Sequence, residues 1–316
     1  MATISDGLKR LFNVCAEFRV IPLGIKAFVD FAFKKIFGSP ENSAALIGLL
    51  NAILELEHPI KEVTILNPYS FQEFQTANLV VLDVKARDSA GRLFNIEMQI
   101  SVHPGLLPRM VYYASETYTD QLSAGDDYTK LNTTISICLL TGNLFPDSDQ
   151  AHHRFQMMDE KSGRKLDRAI EVHTVELRKA RFDQTTTAGA NRLAQWCWLI
   201  LNAHEYTAED LRRMFPDLEF QPVIGCLETI SSKTEDKAMH DQREKAQRDY
   251  DWMLSTARKQ GIEEGREEGT ILGAIQALQQ ILGDVVSGTQ ELSCHSDIEL
   301  KTKLTELQER VRSRLS

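Results

Sequence analysis

The chain has 316 residues, 42% hydrophobic and 26% charged, with a net charge of −9 at pH 7. That composition fits an ordinary globular protein with one large core plus a second region, or two domains, and the negative balance counts mildly against a DNA-coating protein while leaving room for a local basic groove. No apolar run nears the ~20 residues of a membrane span, and no basic-then-apolar leader opens the sequence.

The five cysteines are scattered and odd in number, without a Cys-x-x-Cys pair. They argue against a zinc site or a disulfide framework and for a cytoplasmic, reducing setting. Three regions are expected: an N-terminal extension over 1–27, an α/β body over 28–230 with its core ending near 180, and a charged helical tail over 231–316.

In chain order, a short amphipathic helix is expected around Leu8 to Phe18, and another over Phe28 to Phe37. Ser39-Pro40-Glu41-Asn42 reads as a helix start, with Ser39 as cap and Pro40 at the first helical position. Leu46, Leu49, Leu50, Ile53 and Leu54 then give a buried stripe, ended by His58-Pro59. Val63 to Leu66 is a strand. Two β-rich runs follow, on either side of Asp88-Ser89-Ala90-Gly91.

Beyond the hairpin a helix is predicted from about Arg109 to Leu122, then a Gly125-Asp126-Asp127 turn. Strands are expected over Thr133 to Leu140, Arg154 to Met158 and Ala169 to Leu177, the last two around a turn at Lys161 to Arg164. Strands and helices thus alternate from about 28 to 180, which implies one mixed α/β layer structure.

From Ala190 the pattern is helical, with helices marked by Leu193 to Ile200, Ala208 to Phe215 and Asp297 to Leu315. Gly261, Gly265, Gly269 and Gly273 recur every four residues, with Glu-Glu pairs between the first three. Each glycine costs a helix roughly 1 kcal/mol relative to Ala, but together they leave a bare stripe. Two readings of 236–282 stand side by side: a self-associating helical tail, making the protein a homo-oligomer, or a solvated, frayed charged helix.

The hairpin carries the chemistry. A three-residue loop, Ser89 to Gly91 with Gly91 left-handed, pairs Asp88 with Arg92, Ala86 with Phe94, Val84 with Ile96, Asp83 with Glu97 and Val81 with Gln99. Val80, Leu82, Val84, Ala86, Phe94, Ile96, Met98 and Ile100 then form a wholly apolar face. Asp83, Lys85, Arg87, Asn95, Glu97 and Gln99 share the other. A two- or four-residue loop would mix the faces, so alternation selects the register.

That register sets two carboxylates opposite each other, Cβ atoms roughly 5 Å apart, where like charges destabilise a sheet. A divalent metal, Mg²⁺ or Mn²⁺, held by Asp83 and Glu97 relieves this and can activate water at a phosphoryl group. Gln99 points the same way. The competing reading is an exposed face whose carboxylates are solvated or paired with Lys85 and Arg87.

Asp30-Phe31-Ala32-Phe33-Lys34-Lys35-Ile36-Phe37-Gly38, the Leu/Ile-rich helix, Leu82-Asp83-Val84 and Asn95-Ile96-Glu97-Met98-Gln99 together resemble the Rpn-type family of recombination-promoting nucleases and transposases, within the PD-(D/E)XK superfamily. Arg109-Met110-Val111-Tyr112-Tyr113, Gly125 to Tyr128 and the Gly-x-Glu-Glu-Gly tail fit as well. The resemblance covers roughly Phe28 to Leu177, and the tail loosely.

It implies a restriction-endonuclease-like mixed sheet flanked by helices, with a helical C-terminal region, and a Mg²⁺-dependent DNA endonuclease. Asp83 and Glu97 correspond to metal ligands and Gln99 to the usual lysine. A further acid from the first core helix is either Glu41 or Asp30. Lys85 on the polar face is a stand-in for the lysine's charge. Arg109 and Tyr112 contact substrate, or else their helix simply packs its tyrosines; Lys34 and Lys35 read as a solvated face. The rival function is a catalytically decayed nuclease fold that binds DNA or protein and self-associates, favoured by the missing lysine and the net charge.

Overall fold

In a computed structural model the described residues are 21–70, 83–182 and 191–315. The predicted helix at Leu8 to Phe18 and the strand residues Val80 to Leu82 lie outside them. The chain divides into two compact units, 1–245 and 246–316.

The first unit is built on a six-stranded mixed sheet. Its strands are β1 (Val63–Ile65), β2 (Val84–Asp88), β3 (Leu93–Gln99), β4 (Thr134–Leu140), β5 (His152–Gln156) and β6 (Ile170–Glu176), in the order β1-β2-β3-β4-β6-β5. β1, β2 and β3 pair antiparallel, β3, β4 and β6 run parallel, and β5 returns antiparallel on β6. Every residue of β4 is buried, as expected for a central parallel strand covered on both faces.

One face carries Val84, Ala86, Phe94, Ile96, Ile135, Ile137, Leu139 and Val175 into the main core. Against it pack α1 (Asp30–Phe37), α2 (Ser43–Leu54), α4 (Arg192–Asn202), α5 (Ala208–Met214) and α6 (Gln221–Ser232). The other face is covered by α3 (Leu106–Thr119), which buries Leu106, Met110 and Ala114 on Cys138, Leu140 and Val172. Those three α3 residues follow i, i+4, i+8 spacing, one face of a helix.

Ser39 is not a side-chain cap. Its hydroxyl donates to the Lys35 carbonyl at 2.6 Å, so it closes the end of α1 instead of opening α2. A 3-10 turn over Pro40–Asn42 precedes α2. The helix α7 (Thr234–Leu282) begins in the first unit, where Asp236 and His240 are buried. Lys35 pairs with Asp236 at 2.6 Å and Lys26 with Glu244 at 2.8 Å.

The second unit holds the remainder of α7, a short α8 (Thr289–Leu292) and α9 (Asp297–Leu315). Leu272, Ile275, Leu282, Leu292, Leu300 and Leu307 form its core. Among the described residues no helix is long and apolar enough to cross a membrane.

Candidate active site

The hairpin adopts the expected register. Val84 lies opposite Ile96, Lys85 opposite Asn95, and Ala86 opposite Phe94. Gly91 is left-handed at φ +82°. Asp88 fastens the loop: its Oδ1 accepts the N–H groups of Ala90 at 3.0 Å and Arg92 at 2.9 Å, and its Oδ2 accepts from the Arg92 guanidinium at 2.6 Å. Carried one residue beyond β2, the register sets Asp83 opposite Glu97. The pairing of Val81 with Gln99 lies outside the described residues.

The polar face is not an open one. Glu97, Asn95 and the neighbouring Cys138 of β4 are buried, because α3 closes over this side of the sheet. Burial, reinforced by the charge of Asp83 and opposed by Arg109, pushes the Glu97 carboxyl up to about 7. Burial also raises Asp83, against the opposing pull of Asn95, Lys85, Lys34 and Arg109. Asn95 lies close enough to favour the ionised Asp83, yet neither of its amide atoms makes a hydrogen bond of ordinary geometry among the described residues.

Asp83 is held through its backbone. Its carbonyl accepts from the Lys34 ammonium at 2.6 Å and from the Asn67 amide at 2.9 Å. Asn67 Oδ1 in turn accepts the Lys85 N–H at 2.7 Å, locking the entry of β2. Lys34 is therefore no solvated lysine: it is 4% exposed, and its second carbonyl partner is that of Asn67 at 2.8 Å. A buried ammonium needs such acceptors, which is why charge alone misplaced it. Lys35 is half-buried and salt-bridged to Asp236, also not a free face.

Arg109 joins the carboxylates directly. Its Nη2 donates to Gln99 Oε1 at 2.7 Å and to Glu97 Oε2 at 3.4 Å. Gln99 Nε2 donates to the Ser101 carbonyl at 3.1 Å, so both ends of its amide are engaged. Tyr112 is 63% exposed and touches Tyr113 edge-on; the helix packs through Leu106, Met110 and Ala114, and these two tyrosines face outward.

Neither candidate for the additional acid reaches the pair. Asp30 caps the Phe31 N–H and lies beside Arg243 and His240. Glu41 is exposed and bears on Cys226. Neither is among the charges that shift Asp83 or Glu97.

Glu97 Oε1 is buried and has no hydrogen-bond partner among the described residues. An orphaned carboxylate oxygen facing a second carboxylate is a donor set suited to a hard divalent cation. Among the described residues one group of three side chains has metal-ligand spacing, His240, Asp241 and Glu244. There, His240 Nε2 accepts the Lys26 N–H at 3.1 Å, and Glu244 is paired with the Lys26 ammonium. Coordination through Nδ1 would place the imidazole proton on Nε2 and break the first bond, so the chemistry of that cluster does not favour a metal.

A model of the family described as PD-(D/E)XK nuclease family transposase matches residues 27–257. No curated protein and no solved structure matches the chain.

Proposed function

The chain belongs to the PD-(D/E)XK nuclease family transposases, and on that premise we propose that it is a divalent-metal-dependent endonuclease that hydrolyses DNA phosphodiesters. The observation that carries the reading is the buried, unpartnered Glu97 Oε1 opposite Asp83, in a site where burial raises both carboxyls and the charge of Asp83 raises Glu97 further.

Asp83 and Glu97 would hold Mg²⁺ or Mn²⁺. A cation held there would supply polarisation of a phosphoryl oxygen and a lowered pKa for the attacking water. The chain's own residues set up that chemistry. Lys34 and Asn67 fix the Asp83 backbone, and the α3 seam over Cys138 keeps bulk water from Glu97. Gln99 carries no charge, and with its amide committed to Arg109 and Ser101 it acts as an orienting group. Lys85, two residues from Asp83, adds positive potential from β2.

Self-association through the tail belongs to the same proposal, beside the alternative of a solvated helix. A Cβ added at Gly261, Gly265, Gly269 or Gly273 meets nothing within 4 Å, so that stripe of α7 is open to a second copy.

Plasmid nicking with and without Mg²⁺ tests the activity. Asp83→Ala should abolish metal-dependent nicking while the protein stays folded. Equal cleavage by wild type and variant would refute the assignment. A protein that neither cuts nor binds Mn²⁺ through Glu97 would be the decayed, binding-only form of the fold.

A further inference from the structure

We propose that Arg109 is the cation of this active site, delivering from α3 the positive charge that Gln99 cannot supply and placing it on the scissile phosphate. The proposal rests on the nuclease reading above.

Three cations bear on the Asp83–Glu97 pair: Lys34, Lys85 and Arg109. Lys34 points its ammonium at two backbone carbonyls and is buried with them. Lys85 lies on β2 opposite Asn95, a strand away from Gln99. Arg109 alone of the three is bonded to the Gln99 side chain, at 2.7 Å, and to Glu97. Its charge thus sits at the tip of the residue that corresponds to the lysine of the (D/E)XK motif.

The fork is only partly used. Nη2 makes both bonds, and Nε is buried without a partner among the described residues. A guanidinium offers five donors in a fixed plane that matches a phosphate better than a single ammonium does. Gln99 holds the plane by one edge and leaves donors for an oxyanion. The register of α3 fixes the group in place, since Met110, the next residue, is buried in the seam on β4.

One consequence separates this role from a purely structural one. Arg109 shares Glu97 with any metal bound there, so guanidinium and metal repel each other and compete for the same carboxylate. Removing Arg109 should strengthen metal binding while weakening catalysis. A mere packing residue would weaken both.

The test uses the full chain with Arg109→Ala, Arg109→Lys and Arg109→Ala combined with Gln99→Lys. Arg109→Ala should lower cleavage about 10²–10³-fold, the usual loss for one preorganised charge at a developing oxyanion. Its Mn²⁺ isotherm, measured without DNA, should tighten severalfold. Binding to a short DNA duplex in EDTA should weaken, with the log–log salt slope reduced by about one, as for one lost phosphate contact. Adding Gln99→Lys should restore much of the cleavage, and Arg109→Lys should retain part of it.

Unchanged cleavage in Arg109→Ala, or Mn²⁺ binding that falls with it, would overturn the proposal. If wild type does not cut under any divalent metal, the nuclease reading fails. The Mn²⁺ isotherm and the salt slope then decide by themselves whether Arg109 is a phosphate-binding cation beside a metal seat.

Discussion

The ammonium of Lys34 donates to the backbone carbonyl of Asp83 at 2.6 Å, tying the first core helix to the first carboxylate of the site. The same ammonium binds the Asn67 carbonyl, so one side chain satisfies two backbone acceptors inside the body of the protein. Lys34→Met keeps the aliphatic volume and removes the donor. The Asn67 carbonyl loses this donor and the Asp83 carbonyl keeps the Asn67 amide, so the change should cost roughly 2 kcal/mol, seen as a lower urea midpoint with an unchanged slope. Metal-dependent cleavage should fall further than stability, because Asp83 loses an anchor. A variant with wild-type stability and activity would show that Asn67 alone positions this strand.

Glu97 gives the metal-free protein a defined pH response. Its carboxyl is raised from 4.5 to about 7 by burial and by Asp83. Between those values the folded state holds a proton that the unfolded chain has released. Stability therefore falls as pH rises through this window, by about 3 kcal/mol from this group. Asp83 is raised as well and acts with the same sign. Thermal melts of metal-free protein should show lower stability at pH 8 than at pH 5.5, and Glu97→Gln should flatten the difference. Mn²⁺ binding should weaken below pH 7, up to about tenfold per unit, since the cation must displace that proton. A pH-independent isotherm would exclude Glu97 as a ligand.

Local pattern exposed the hairpin, while the contacts that complete the site come from distant parts of the chain. Strict alternation on both sides of Gly91 allows one register that keeps Val84, Ala86, Phe94 and Ile96 on one face, and the sheet adopts it. The strands over 134–140 and 170–176 were legible from β-branched, apolar runs. Nothing local, however, tells that β6 lies between β4 and β5. Arg109 reads in sequence as a substrate contact, since its bond to Gln99 exists only once α3 folds back over the sheet. Lys34 reads as a surface charge for the same reason: its acceptors, the carbonyls of Asn67 and Asp83, are far along the chain. Asp30 and Glu41 are acidic, in the expected region and directed elsewhere, a matter of helix orientation that residue type does not carry.

Gly91 should be the most sensitive position of the turn. At φ +82° an alanine is strained, and its Cβ would lie 3.0 Å from Asn132 Oδ1. Gly91→Ala should destabilise the body by about 1–2 kcal/mol. Because the turn sets the register that brings Asp83 to Glu97, Mn²⁺ affinity should fall as well. Gly163, also left-handed but with open space around it, supplies the control. Gly163→Ala should show a backbone cost without any change in metal binding.

The glycine stripe of α7 separates two opposite outcomes for one pair of substitutions. In a solvated helix, Gly265→Ala removes an entropic penalty and should stabilise by roughly 1 kcal/mol, and Gly265→Leu should be tolerated as well. In a close helix–helix contact the bare stripe is what lets two backbones approach, and a leucine there would force them apart. Self-association thus predicts that sedimentation velocity finds wild type larger than a monomer and Gly265→Leu shifted toward monomer, with Asp83-dependent chemistry intact in the first unit. Monomeric behaviour of both proteins would remove self-association from the functional reading and leave the Asp83–Glu97 site untouched.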